Sequence, residues 1–370
     1  MKYSIQNWRL IDLVNLYKEN NLILDPPYQR NFIWSKKDQE ELIDSIISKK
    51  YPLPSFFLRK LDDDKYEMVD GQQRTRTILA YYKRNFESDK IPEIVNKSKE
   101  DFSNYDLSIT IIESEEASDL IEDFYARVNK TGRKLNKPEL NKAEYFYTEF
   151  LSLNQELAGA EEFKSLELFT PASSNRMNDI DFISELITLI EFGPTEKKDK
   201  VDVLYEKDID AEKKEELRHK FKQVLGKIQI LNSIFPIQKT RYRQRNDFYT
   251  LFNFLIRNED LTIAEIIYFY KVLILIGSEI SPSNDFCIPF KEYAINCVSQ
   301  SNQKRARLER LKFLESLFLN QSNKPNQIQI EVTKFYKIID SVQKINNYYT
   351  IDLKELMKLK SSITFYEPAN

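Results

Sequence analysis

Along the first 115 residues the apolar positions switch between helical and strand spacing. Trp8, Leu10, Ile11, Leu13, Val14 and Leu16 share one side of a short amphipathic helix. Asp25-Pro26-Pro27-Tyr28-Gln29-Arg30 carries two adjacent prolines, which exclude helix and predict an extended segment. A second helix is predicted from Ser35, an N-cap with Asp38 three residues on, and it buries Leu42, Ile43, Ile46 and Ile47 before Pro52 and Pro54 end it. Ser55 to Leu61 and Lys65 to Val69 read as a hairpin around Asp62-Asp63-Asp64. Asp70-Gly71 breaks the return strand, Thr75 to Phe86 reads as helix, and Leu107 to Ile112 as one further strand.

From Glu115 the spacing is almost entirely helical. Ala117, Leu120, Ile121, Phe124 and Val128 form one stripe, and Asn136-Lys137-Pro138-Glu139 supplies a cap, a first-turn proline and a reciprocal cap for the next helix. Further helices are predicted over about 180–191, 211–235, 247–257, 263–277, 304–318, 331–344 and 352–359, with 193–210 and 320–327 as connections. The expected class is α+β: a mixed domain over 1–115, then a mostly α-helical region over 116–370 with a further division near 193–210.

The apolar fraction of 41% and the charged fraction of 31% are those of a folded chain rather than a disordered one. Only 6 glycines occur, so each carries weight as a clue to a special turn. With 55 basic and 58 acidic side chains the formal charge is −3, so nucleic acid would have to be met by a local patch. Cys287 and Cys297 fit no metal spacing and are expected to be buried packing groups in a reduced, cytoplasmic protein. The N-terminus shows no signal peptide, and the apolar run Ile263 to Ile276 is too short and too interrupted by Glu265 and Lys271 to span a bilayer, so no membrane partner is expected. The single histidine, His219, sits in a charged helical run and reads as a surface residue, which excludes two-histidine metal chemistry.

The run Val69-Asp70-Gly71-Gln72-Gln73-Arg74-Thr75 stands where a strand ends and a helix begins, a place where free N–H groups and the helix dipole favour an anion. Gly71 would let a phosphate approach the backbone, Arg74 and Arg76 would bind its oxygens, Gln72 and Gln73 would orient ligand or water, and Asp70 would hold Mg²⁺ or accept a proton. The plain alternative is a turn with solvent-facing polar groups. In Tyr28-Gln29-Arg30-Asn31-Phe32-Ile33-Trp34, aromatic and guanidinium groups suit a nucleotide, although Phe32 and Trp34 are better explained as stapling the next helix. Asn129, Lys130 and Arg133 lie in a basic loop around Gly132 and are candidates for holding the nucleotide, although a solvated loop is the commoner reading. Arg241, Arg243 and Arg245 alternate and share a face if extended, and Lys304, Arg305, Arg307, Arg310 and Lys312 line a helix; solvated surface is the commoner reading of both.

The order Tyr28-Gln29-Arg30, Trp34, Val69-Asp70-Gly71-Gln72-Gln73-Arg74, then Asn129 to Leu135 with Glu139-Leu140, resembles the DGQQR-motif family, the N-terminal domain type of GmrSD restriction endonucleases. It is also similar to the sensor domain of Ssp phosphorothioate-dependent defence proteins. The motifs cover about residues 10–150, and Arg176 to Asp179 and Arg241 to Leu251 are weaker points of likeness. The resemblance implies a ParB/sulfiredoxin-like fold and nucleoside triphosphate hydrolysis, with Mg²⁺, that controls DNA cleavage against phage. It places the nucleotide at Asp70, Gly71, Gln72, Gln73 and Arg74, with Tyr28, Gln29 and Arg30 lining the same cleft near where modified DNA is sensed. Full-length relatives carry a His-Asn-His nuclease, which one histidine does not provide, so the expectation is a regulator acting through a separate effector protein. A nucleotide-dependent switch without turnover and a pure scaffold are the competing readings.

Overall fold

The computed structural model describes residues 2–26, 32, 34–49, 51–62, 64–86, 99–114, 124, 136–196, 199–338 and 341–366. Backbone contacts divide the chain into two units, residues 1–146 with 171–178, and residues 147–170 with 179–370. The order is mixed α+β first and mostly helical afterwards.

The first unit is built on a five-stranded sheet ordered β1-β5-β3-β4-β2, with β1 Lys2–Arg9, β2 Leu22–Ile23, β3 Phe56–Asp62, β4 Lys65–Asp70 and β5 Asp106–Ser114. β1 runs antiparallel to β5, β3 parallel to β5 and antiparallel to β4, and β2 parallel to β4. The helices are α1 Leu10–Lys18, α2 Lys36–Ser48, α3 Gln72–Tyr82, α4 Lys99–Ser103 and α5 Lys137–Tyr145. Strand alternation sends Phe56, Leu58, Met68, Ile109 and Ile111 to one face, where Leu13 and Val14 of α1, Ile43 and Ile46 of α2 and Ile78 of α3 close the core. The alternate residues Phe57, Val69 and Ile112 meet Ala143 of α5 on the other face.

The start of α2 follows the predicted chemistry. Ser35 accepts from Asp38 N–H while the Asp38 carboxylate takes the Ser35 N–H at 2.9 Å, a reciprocal cap whose loss costs about 1 kcal/mol. Trp34 packs on the core beside it, as a staple does. The start of α5 is built the same way by Asn136 and Glu139, and Arg176 reinforces it with a 2.9 Å ion pair to the buried Glu139 carboxylate. α3 begins at Gln72, three residues before the predicted start, and ends at Tyr82. β1 was not expected: it is a polar edge strand held by its ladder to β5.

The second unit contains α6 Glu149–Gly159, α7 Asn178–Phe192, α8 Asp199–Lys207, α9 Ala211–Ile234, α10 Arg245–Arg257, α11 Ile263–Ile276, α12 Ile288–Val298, α13 Lys304–Phe318, α14 Gln327–Phe335 and α15 Leu353–Leu359. Its core is aromatic, with Phe182, Phe221, Phe252, Phe269 and Phe318 buried and Phe269 stacked on Phe318 at 4.7 Å. Two expectations are corrected, and one helix is added. Residues 193–210 contain α8, which buries Val201, Leu204 and Tyr205. The helix expected over 331–344 ends at Phe335, and an antiparallel hairpin follows, Val342–Ile345 (β6) with Tyr348–Ile351 (β7). Residues 288–298, not assigned from sequence, form α12. No helix of the described residues is long and apolar enough to cross a membrane.

Candidate functional site

Polar side chains converge where the parallel strands β2 and β4 end and α3 begins. In open sheets the carboxyl ends of parallel strands are where ligands bind. Asp70 is the last residue of β4, and Gly71 turns the chain into α3 with φ +110° and no side chain to cap the helix. The space a Cβ would occupy at Gly71 is filled by the Phe56 ring, whose Cδ1 would stand 2.5 Å from it. Glycine is therefore required at this turn by packing and by backbone conformation together.

Arg74 points inward. Its guanidinium lies 4.3 Å from the Phe56 ring centre and donates to the carbonyls of Pro54 and Ser55 and, at 2.7 Å, to Asp70 Oδ2. Only 8% of the residue is exposed, and burial lowers its pKa against the pull of Asp70. The side chain ties the start of β3 to the end of β4. Gln72 and Gln73 are also buried: Gln72 Nε2 donates to Leu24 O at 2.9 Å and Asp25 Oδ1 at 2.6 Å, and Gln73 Oε1 accepts from Trp34 N–H at 3.2 Å.

The outward cation of the run is Arg76, whose Nη2 donates to both oxygens of Asp25. Lys142 of α5 faces the same carboxylate: burial lowers its pKa, and the charge of Asp25 opposes that shift. The Oδ1 atom of Asn141, the residue before Lys142 in sequence, is buried with no hydrogen-bond partner among the described residues. Asp25 is thus a hub held by Gln72 and Arg76 and faced by Lys142. Neither Asp25 nor Lys142 was singled out from sequence as a site residue. Lys142 lies six residues after the recognisable cap Asn136, and its approach to Asp25 is a product of tertiary packing.

Of the residues expected at the site, the structure brings Asp70, Gly71, Gln72, Gln73, Arg74 and Arg76 to one turn. Tyr28, Gln29, Arg30, Asn129, Lys130 and Arg133, and most of the stripe from Ala117 to Val128, lie outside the described residues. Among the described residues no group of three or more His, Cys, Asp or Glu side chains is placed to hold a metal. Arg74 takes only Oδ2 of Asp70, so this carboxylate offers one oxygen of the kind Mg²⁺ shares with phosphate oxygens and water.

The basic clusters of the second unit are not the surfaces expected. Arg241 to Arg243 form a 3₁₀ turn and not an extended face: Arg241 pairs with buried Asp247 at 2.9 Å, Arg243 is exposed, and Arg245 turns to Asp181 and Glu185. On α13, Lys304, Arg305 and Lys312 are exposed, whereas Arg307 and Arg310 are buried. His219 is on the surface, and both cysteines are buried, as expected.

A strand–turn–helix polar centre on a five-stranded mixed sheet defines the first unit. Residues 10–146 match the family model of the GmrSD restriction endonuclease N-terminal domain, and this stretch of the chain is a domain of that type. No curated protein matches the chain. No solved structure matches it either.

Proposed function

We propose that the first unit binds a nucleoside triphosphate and hydrolyses it as the regulatory part of a restriction or phage-defence system that acts on or near DNA through a separate effector. The observation that carries this reading is the charge arrangement at Asp25. Arg76 pairs with the Asp25 carboxylate, and the partly buried Lys142 lies within that carboxylate's electrostatic reach, beside a helix start left without a side-chain cap. That excess of positive charge, partly withdrawn from water, calls for a second anion, and phosphate oxygens meet it.

In this reading Arg76 and Lys142 hold the phosphates, Gln72 and Asp25 fix Arg76, and Arg74 is a positioning residue that orients Asp70 through a 2.7 Å hydrogen bond. Asp70 presents its other oxygen to water or to Mg²⁺. Bound Mg²⁺ would neutralise phosphate charge. The test is phosphate release from each of the four common NTPs with Mg²⁺, with and without DNA, for wild type, Asp70→Ala and Lys142→Met. Release by wild type that both substitutions remove is the expected result. A pure protein that releases no phosphate under any of these conditions overturns hydrolysis.

A second reading is a switch that binds nucleotide without turnover. It is favoured by the engagement of Arg74, which donates to two backbone carbonyls and Asp70 and is not free to move onto a reacting phosphate. Saturable nucleotide binding by calorimetry without phosphate release selects this reading, and multiple turnover excludes it.

A further inference from the structure

Three arginines converge on one cavity of about 220 Å³: Arg245 from α10, and Arg307 and Arg310 from α13. Arg307 is 3% exposed; its Nη2 donates to Glu185 Oε2 at 2.8 Å and its Nη1 to the Tyr249 hydroxyl at 3.0 Å. Arg245 Nη2 reaches Glu185 Oε1 at 3.2 Å and Asp181 Oδ2 at 3.1 Å. The two carboxylates are therefore matched by these two guanidinium groups.

Arg310 is left over. It is 1% exposed, and its partners are all neutral: Nε donates to Thr250 Oγ1 at 2.9 Å, and Nη1 to the carbonyls of Asn296 at 2.5 Å and Ser301 at 2.9 Å. No carboxylate pairs with it among the described residues, and its Nη2 has no protein acceptor there. The nearby Arg241 does not change the balance, because Asp247 already neutralises it. A buried guanidinium without a counter-charge is costly, and the cavity it lines is where a counter-charge fits. Asn302 at the cavity wall adds an amide donor.

We infer that this cavity binds a phosphate-type oxyanion, as inorganic phosphate or a phosphomonoester, with Arg310 and Arg245 as its main ligands. The volume sets the class: sites for drug-sized ligands run to about 300–1,000 Å³, so this one takes a single tetrahedral phosphate group with its water, and the rest of an ester stays outside it. The inference concerns the helical unit alone and is independent of the reading of Asp25 and Lys142.

The test is thermal unfolding of the full chain in inorganic phosphate against chloride at equal ionic strength, with a nucleoside monophosphate as a third arm. Wild type should gain about 3–6 °C in Tm at a tenfold excess of phosphate over its Kd, and the gain should saturate. Ser301→Asp brings a carboxylate to the cavity wall; it should raise Tm without phosphate and abolish the phosphate response. Arg245→Gln should lower the response, and Arg243→Gln, at an exposed arginine outside the cavity, should leave it intact. A matching response to the monophosphate assigns the ester, and a response to inorganic phosphate alone assigns the free ion. A phosphate shift no larger than that of chloride, or one that survives in Ser301→Asp and Arg245→Gln alike, overturns the site.

Discussion

Gly71→Ala separates two reasons for glycine at the centre of the motif. A methyl group at this position meets Phe56 Cδ1 at 2.5 Å and Cε1 at 3.1 Å, and the backbone holds φ at +110°. Overpacking of this kind costs about 1–3 kcal/mol, and forcing an L-residue into the left-handed region adds about 1–2 kcal/mol. The sum is about 2–5 kcal/mol, a large part of the stability of a small unit. Phe56 cannot simply turn aside, because it is fully buried and the Arg74 guanidinium lies 4.3 Å from its ring centre. Urea unfolding of wild type, Gly71→Ala, Phe56→Leu and the double variant gives a complete cycle. Phe56→Leu makes room for the methyl group, so the steric share of the Gly71→Ala cost should shrink by about 1–2 kcal/mol in the double variant, while the conformational share persists. Costs that add without coupling would refute the steric argument, and a Gly71→Ala cost below about 0.5 kcal/mol would refute both arguments.

Three further outcomes follow from the same geometry. Arg74→Ala should destabilise by about 2–3 kcal/mol in urea, less than a fully buried pair because Asp70 keeps some contact with water, and Arg74→Lys should recover only part since one ammonium cannot reproduce the fork. Lys142 has a folded pKa below its ordinary value, so the unfolded chain holds more protons between the two values and stability rises with pH across that window. Below it the charged lysine costs stability, and Lys142→Met should stabilise by about 0.5–1 kcal/mol near neutral pH while weakening nucleotide binding; a destabilised variant that binds normally would contradict this role. Burial pushes the Cys287 thiol up to about 11 and the Cys297 thiol up to about 12, so neither should react with a disulfide reagent at pH 8 until the protein is unfolded, and fast native labelling would count against their burial.

What the sequence carries and what it hides differ by the range of the interactions involved. The caps of α2 and α5 are legible because donor and acceptor lie three residues apart, and Asp70 with Arg74 is an i,i+4 pair visible in the motif itself. The inward turn of Arg74 is not local: it depends on Phe56 and on the carbonyls of Pro54 and Ser55, which only the β3–β4 pairing brings beside α3. β1 lacks the alternation of a half-buried strand, because most of its side chains face water and the backbone ladder to β5 holds it. The hairpin of β6 and β7 is signalled only by Asn346-Asn347, with Asn346 at φ 49°, inside a stretch whose apolar spacing also suits a helix.

The arginines of α13 were legible in a way that residue type obscures. Arg307, Arg310, Leu311, Leu314, Leu317 and Phe318 form one stripe at helical spacing, and all are buried. Lys304, Arg305 and Lys312 fall off that stripe and are exposed. Counting charges along the helix groups five basic residues as one solvated face, whereas assigning them by phase separates two that must enter the core with the leucines. A cation placed by periodicity in a core stripe must find counter-charge or acceptors there, and Glu185 answers for Arg307 while only neutral groups answer for Arg310. The phase of the charged residues, taken with the apolar ones, therefore carries the signal for the cavity that their number alone conceals.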